Sequence, residues 1–412
     1  MSTTLRQQRH VVAACYLGWT LDAFDFFIMV FVLGNIAREF GTTVTTVTWA
    51  ITLTLFMRAL GAWIFGRIAD RFGRRPTLIA NVLCYSVLEF ASGWAPDLAI
   101  FLILRGLYGI AMGGEWGVGA SLTMESIPKS WRGPVSGLLQ AGYPSGYLLA
   151  SLLYWVAFPY VGWRGLFMLG AAPALLVLYI RRSVPESQSW QARQAAGPRP
   201  PILQVLRQHA VLAVYAVLMM TAFNFYSHGT QDLYPRFLQA QHHFDRNQVT
   251  AIAVAYNIAA ILGGLSLGSL SQHFGRRRMI VTAALVSLPV IPLWAFATTA
   301  FWLGVGACLM QFCVQGAWGI IPAHLNELSP PDIRATFPGF TYQLGNLLAS
   351  PNATIQAAIA ASLAGDYRWP LAGVAGIVAV VIAVLVALGR EARHIDMQHA
   401  EAVAHAHGSA VS

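Results

Sequence analysis

A ten-residue stretch, Gly66-Arg-Ile-Ala-Asp-Arg-Phe-Gly-Arg-Arg75, returns as Gly268-Ser-Leu-Ser-Gln-His-Phe-Gly-Arg-Arg277, and 268 − 66 = 202. The same offset of 202 links Trp116-Gly117 to Trp318-Gly319, Glu125 to Glu327, Arg132 to Arg334 and Asp22 to Asn224. One constant offset across separate segments signals a duplicated unit. Each copy carries six apolar runs: near 11–35, 46–66, 76–95, 98–121, 134–157 and 163–181 in the first, and near 209–234, 247–270, 279–297, 300–323, 336–361 and 369–389 in the second. About 20 apolar residues suffice for a helix to cross a hydrocarbon core. The expected fold is therefore an all-α membrane protein of 12 transmembrane helices in two parallel six-helix pseudo-repeats. Repeats of this kind place a substrate site near mid-bilayer, with alternating access as one half rocks against the other.

Composition agrees with a membrane chain and excludes an ordinary soluble one. Of 412 residues 10% are charged and 56% hydrophobic, against about 25% charged in a soluble globular domain. A net charge of +9 could suggest nucleic acid, but topology accounts for it. Of the 26 Lys+Arg, 19 fall in segments on the side of the N-terminus, 5 in the opposite loops, and only Arg58 and Arg105 lie within spans. By the positive-inside tendency both termini are expected in the cytoplasm, in a multi-pass protein of the cytoplasmic (inner) membrane with no nucleic-acid partner. The divisions expected are a first half over 1–181, a cytoplasmic linker over 182–208 rich in Pro, Gln and Arg, a second half over 209–389 and a polar, disordered cytoplasmic tail over 390–412. The apolar stretch from Val11 to Ile36 exceeds a signal-peptide core and reads as a retained first helix.

Several chemistries find no support. Cys15, Cys84, Cys308 and Cys313 all sit in apolar segments, without disulfide or metal spacing. The tail histidines His394, His399, His405 and His407 read as solvated residues and not as a metal site. Met112-Gly-Gly-Glu115 lacks the strand-loop-helix context of a phosphate loop, so a gradient and not ATP should drive any transport. No enzyme activity and no cofactor are expected.

Polar groups inside the spans are costly and so point to function. Asn224, His228 and Gln231 recur at i, i+4 and i+7, one helical stripe ending before Pro235. Asp22 and Asp25 share a face at i, i+3, and Glu89 and Glu115 are the other acids within spans. Arg58 and Arg105 are the candidate carboxylate ligands, since a guanidinium pairs bidentately and stays charged. Arg105 could equally pair with Asp22 or Asp25. His228 could take a proton or hydrogen-bond a substrate. The faces around positions 22 and 224 are expected to wall the chamber.

The loop Gly66 to Arg75, its copy at Gly268 to Arg277, and Arg105-Gly-Leu-Tyr-Gly109 together resemble the major facilitator superfamily, over essentially the whole transmembrane chain. That resemblance implies a latch for one conformation, formed by Gly66, Asp70, Arg71, Gly73 and Arg74. Gln272 replaces Asp70 in the second copy, so the latch there should be weaker. Trp19-Thr-Leu-Asp-Ala-Phe-Asp-Phe-Phe27 and Asn224-Phe-Tyr-Ser-His-Gly-Thr-Gln-Asp-Leu-Tyr-Pro235 are similar to the sialate:proton symporter group, especially its Jen-type lactate and pyruvate permeases. Arg236 stands where that pattern would place a small hydroxyl residue. The resemblance implies a monomeric carrier for a small organic acid anion and a proton. Asp22, Asp25 and Glu115 would couple the proton, and Arg105, Arg58, Asn224, His228 and Gln231 would hold the anion. An aromatic acid or a sialic acid on the same fold, and a transporter-like receptor without flux, remain open.

Overall fold

A computed structural model describes residues 3–197, 199–395 and 397. In the first half, α1 (Thr3–Glu39), α2 (Val44–Phe72) and α3 (Arg74–Gly93) each cross once. The fourth crossing is α4 (Leu98–Gly113) continued by α5 (Glu115–Ser126), and the fifth is α6 (Arg132–Gln140) continued by α7 (Gly142–Leu169). Within α7 the chain turns at Gly162, φ 63, three residues past Pro159, and the remainder joins α8 (Ala174–Ser183) as the sixth crossing. The expected linker holds two short helices, α9 (Gln188–Ala195) and α10 (Ile202–Gln208).

The second half repeats the plan. It runs through α11 (Ala210–Gln231), α12 (Tyr234–His242), α13 (Arg246–Phe274), α14 (Arg276–Ser287) and α15 (Ile291–Phe296). It ends with α16 (Ala300–Trp318), α17 (Ile321–Leu328), α18 (Thr336–Ala349), α19 (Asn352–Ser362) and α20 (Arg368–Leu388). The duplication shows in the helix ends themselves. α2 and α13 obey 246 − 44 = 202 and 274 − 72 = 202, and the fourth and tenth crossings obey 300 − 98 = 202 and 328 − 126 = 202.

Local chemistry sets these ends. Asp97 accepts from the Ile100 N–H at 2.8 Å, and Asp245 forms a capping box with Gln248, so each helix starts with its exposed donors satisfied. α2 and α13 both stop at a glycine of positive φ, Gly73 at 111° and Gly275 at 100°, where a side chain would be strained. Nine helices among the described residues are long and apolar enough to cross a membrane. Arg74–Gly93, the Gly162–Ser183 segment and Thr336–Ser362 supply the other three of the 12, their apolar runs being interrupted by charge, by the α7–α8 turn or by polar residues.

The apolar core falls largely into separate clusters in the two halves, joined by Trp19 and Trp116 packing into that of the second, and the halves meet through α2 against α18 and α6 against α13. Where α5 crosses α18, a Cβ on Gly117 would come within 2.7 Å of the Gly339 Cα, so the approach needs glycine on both sides. Ser121 Oγ donates to the Arg334 carbonyl at 2.8 Å, and the Ala323 N–H donates to Ser136 Oγ at 3.0 Å, further tying the halves on the side of the N-terminus. The tail departs from the sequence expectation over its described part. Arg132 donates to the Ile395 carbonyl, and Met397 is buried in an apolar cluster with Met124, Ile127, Val135 and Ala323. Residues 396 and 398–412, with His399, His405 and His407, lie outside the described residues.

Candidate functional site

Between the halves lies a cavity of about 420 Å³. Its polar wall is the predicted stripe of α11: Asn224, His228 and Gln231 all line it, joined by Ser227 and Asp232. Opposite stand Phe26, Phe27 and Phe31 of α1 and Tyr143 and Tyr147 of α7, with Tyr256, Asn257, Gln315, Trp318 and Tyr342 between. Asp232 keeps 40% of its side chain exposed, which marks the open side as the one away from the N-terminus. On the other side an aromatic floor shuts the chamber: Trp116 packs on Tyr342 at 4.8 Å between ring centres, Trp318 packs on Tyr342 at 5.4 Å, and Trp19 stacks on Tyr143 at 5.7 Å.

The stripe is held in place by bonds within α11 and by two that reach other helices. His228 Nδ1 lies 3.1 Å from Asp232 Oδ2, and its Nε2 lies 3.0 Å from Asn346 Oδ1 on α18. Gln231 donates to Gln311 Oε1 at 2.6 Å, and the Asn224 amide donates to the Met220 carbonyl at 2.7 Å. Asp232 and Asn346 were not singled out from sequence. Asp232 carried a usable signal, lying four residues after His228 on the same face, whereas Asn346 is brought in from a distant helix.

The closed side is fastened by the repeated loop. Asp70 accepts from the backbone N–H groups of Ala335 at 3.0 Å and Thr336 at 3.1 Å and from the Thr336 hydroxyl at 2.5 Å, so a carboxylate of the first half caps α18 of the second. Arg74 braces it, donating to Asp70 at 3.1 Å and pairing with Glu125 at 2.9 Å. Gly66 lets the backbones approach, since a Cβ there would lie 2.7 Å from the Thr336 Cα. In the second copy Gln272 accepts only from the Gly133 N–H across the halves, at 3.0 Å, and the residue after it, Pro134, has no N–H to give. The second copy thus makes one bond across the halves where the first makes three. Arg71, expected with the others, makes no bond across the halves among the described residues: its guanidinium lies over the Phe72 ring on the exposed surface.

Residues 15–234 and 233–407 both match the family model described as Major Facilitator Superfamily. The chain belongs to the major facilitator superfamily. Among curated relatives, it is 29% identical to a "Carboxylic acid transporter protein homolog" of Saccharomyces cerevisiae, over 93% of this chain and 68% of the relative. It is 27% identical to the "Sialic acid transporter NanX" of Escherichia coli, over 82% of this chain and 84% of the relative. Among solved structures, the proton:xylose symporter XylE superimposes with a TM-score of 0.77 at 19% identity, covering 96% of this chain and 99% of that one. At that identity the likeness concerns the fold alone.

Within the superfamily fold the remaining predicted residues fall elsewhere than expected. Asp22, Asp25 and Glu115 do not wall the cavity. They are fully buried inside the first half, and none of their carboxylate oxygens has a hydrogen-bond partner among the described residues. The chamber wall of α1 is instead the Phe26, Phe27 and Phe31 surface, because the two aspartates turn toward the interior of their own bundle. Arg105 is likewise not at the cavity. Its Nη2 donates to Glu89 at 2.6 Å and to Ser92 at 2.6 Å, and its guanidinium lies over the Tyr108 ring at 4.2 Å, so it is tied to Glu89 and not to Asp22 or Asp25. Arg58 sits one turn below the cavity residue Leu55, buried, with Nη2 3.9 Å from Asp22 Oδ2. With its amide oxygen turned to the guanidinium, Gln343 accepts from Nε and Nη2 at 3.2 Å each. Arg58 therefore joins the floor of the cavity to the buried acids.

Proposed function

We propose that this superfamily member is a secondary active transporter that takes up a small monocarboxylate of the lactate or pyruvate type with a proton, by alternating access. The carrying observation is the α11 stripe, an Asn, a His and a Gln on one face of a cavity between two pseudo-repeats, with His228 tied to Asp232 and Asn346. The yeast relative named for carboxylic acids supports the acid class. In this reading the cytoplasmic membrane holds the protein as a monomer, both termini are cytoplasmic, and the chamber faces outward.

Substrate would enter beside Asp232, place its carboxylate toward His228, and draw on Arg58 through the floor. Arg58 is 3.9 Å from Asp22. When the substrate anion competes for that guanidinium, Asp22 loses its counter-charge in a dry site, where an isolated ion is costly. A proton then goes to Asp22, the acid beside Arg58, with Asp25 and Glu115 as its buried neighbours. Arg105 would support the bundle that holds these acids.

An aromatic acid is a second reading with its own support, since eight aromatic side chains line the chamber: Phe26, Phe27, Phe31, Tyr143, Tyr147, Tyr256, Trp318 and Tyr342. Uptake of labelled lactate into proteoliposomes under an inward proton gradient, competed by pyruvate, benzoate and a sialic acid, separates the readings. Lactate uptake displaced by pyruvate and raised at least tenfold in KM by His228→Ala supports the proposal. Uptake displaced by benzoate alone replaces it with the aromatic reading.

A further inference from the structure

On the closed side, near the membrane surface, a second cavity of about 540 Å³ has three arginines and no carboxylate in its wall. Arg67 and Arg71 come from the end of α2, and Arg199 comes with Gly197 from the segment between α9 and α10. Arg67 makes no hydrogen bond or ion pair to any described residue. Arg71 is exposed and reaches only the Phe72 ring. Arg199 gives Nη1 to the Asp332 carbonyl at 3.3 Å, while its Nε is buried without a partner. Burial, only partly offset by Asp70 and Asp332 and reinforced by the Arg74 and Arg193 charges, holds Arg199 below the ordinary arginine range.

The nearby acids are already engaged. Asp70 caps α18, and Asp332 accepts from Arg193 at 2.7 Å. Three guanidinium groups thus converge on one roomy space with no carboxylate in its wall, one of them with a donor out of reach of bulk water. We propose that this cavity is a binding site for a phosphate group, held by Arg67, Arg71 and Arg199. A tetrahedral phosphate, as a free ion or a diester, offers acceptor oxygens out of one plane to forks arriving from different directions, which a planar carboxylate does not. The phosphate can belong to a soluble phosphate or to an anionic lipid headgroup, and the exposed Phe72 beside Arg71 would suit a lipid chain.

Occupancy has a consequence for the conformational cycle. Arg67 and Arg71 belong to the helix that carries Asp70, and Arg199 touches Asp332, three residues before Ala335. A phosphate bridging them ties α2 to the segment that Asp70 caps, so it favours the state closed on this side and slows exchange through the carrier.

The test uses the full chain in lipid nanodiscs, where both faces are accessible. Equilibrium dialysis of labelled inorganic phosphate against phosphatidylcholine discs, at fixed ionic strength, should show saturable binding. Arg67→Gln and Arg199→Gln should each weaken it about tenfold, the scale of one charge-assisted contact. Discs containing phosphatidylglycerol distinguish the sources: a lipid headgroup in the site abolishes phosphate binding, and a soluble ligand leaves it intact. Phosphatidylglycerol co-purifying with the wild type but not with Arg67→Gln/Arg199→Gln supports the lipid source. The proposal fails if phosphate does not bind saturably and phosphatidylglycerol retention is the same in the double variant, or if the arginine variants bind phosphate as the wild type does.

Discussion

Removing the Asp70 side chain should open the closed side, by an amount the two unequal latches allow to be worked out. Asp70→Ala deletes three bonds across the halves, from Ala335 N–H, Thr336 N–H and the Thr336 hydroxyl. Bonds to a charged group are worth about 1.5–3 kcal/mol each. In the alternate state that carboxylate meets water and Arg74, so only a difference counts, roughly 1 kcal/mol per bond. The sum, about 3 kcal/mol, is on the order of a 100-fold shift in the conformational equilibrium. Gln272→Ala deletes only one bond across the halves, from Gly133 N–H, its other partner Arg276 lying in the same half, and should shift the equilibrium only about two- to fivefold. Arg74 keeps its pair with Glu125 in the first variant, so the fold survives. Spin labels at Ser130 and Arg278, both exposed on this side, report the separation of the halves by pulsed electron resonance. A long-distance population that grows no more in Asp70→Ala than in Gln272→Ala would refute the capping argument.

Two further outcomes follow from the packing. Arg105→Gln leaves Glu89 buried without its cation, which should destabilise the protein by about 3–5 kcal/mol. Thermal unfolding should show the loss, and adding Glu89→Gln should recover most of it; uptake lost with an unchanged melting temperature would instead return Arg105 to the substrate path. Gly117→Val inserts side-chain atoms where a Cβ alone already approaches Gly339 to 2.7 Å. It should therefore raise the reactivity of a thiol probe on the closed side, and unaltered labelling would count against this seam.

Much of the architecture was legible because its signal is repetitive and long. An offset of 202 read from loop residues reappears in the ends of α2 and α13, since both helices stop at the same kind of glycine. The α11 stripe was legible because helical spacing alone decides which side chains share a face. Partners drawn from different helices were not. Arg105 is paired with Glu89 of α3, 16 residues away in sequence, and spacing along one helix could not reveal which acid it would meet. The direction of Asp22 and Asp25 was also hidden, because their shared face can point to a chamber or to a bundle interior with the same sequence. The aromatic wall is illegible for a related reason: Phe27, Tyr143 and Tyr147 read as ordinary apolar residues until the fold brings them together, with Phe27 and Tyr147 rings 4.9 Å apart.

The proposed link between an acid-binding chamber and proton-carrying carboxylates runs through Arg58, and proton entry recorded with a pH dye trapped in vesicles tests that link most directly. External lactate should acidify vesicles bearing the wild-type chain. In Asp22→Asn vesicles the acidification should vanish while counterflow of labelled lactate continues. Acidification of equal size in Asp22→Asn, or lactate entry into wild-type vesicles without any proton, would contradict it.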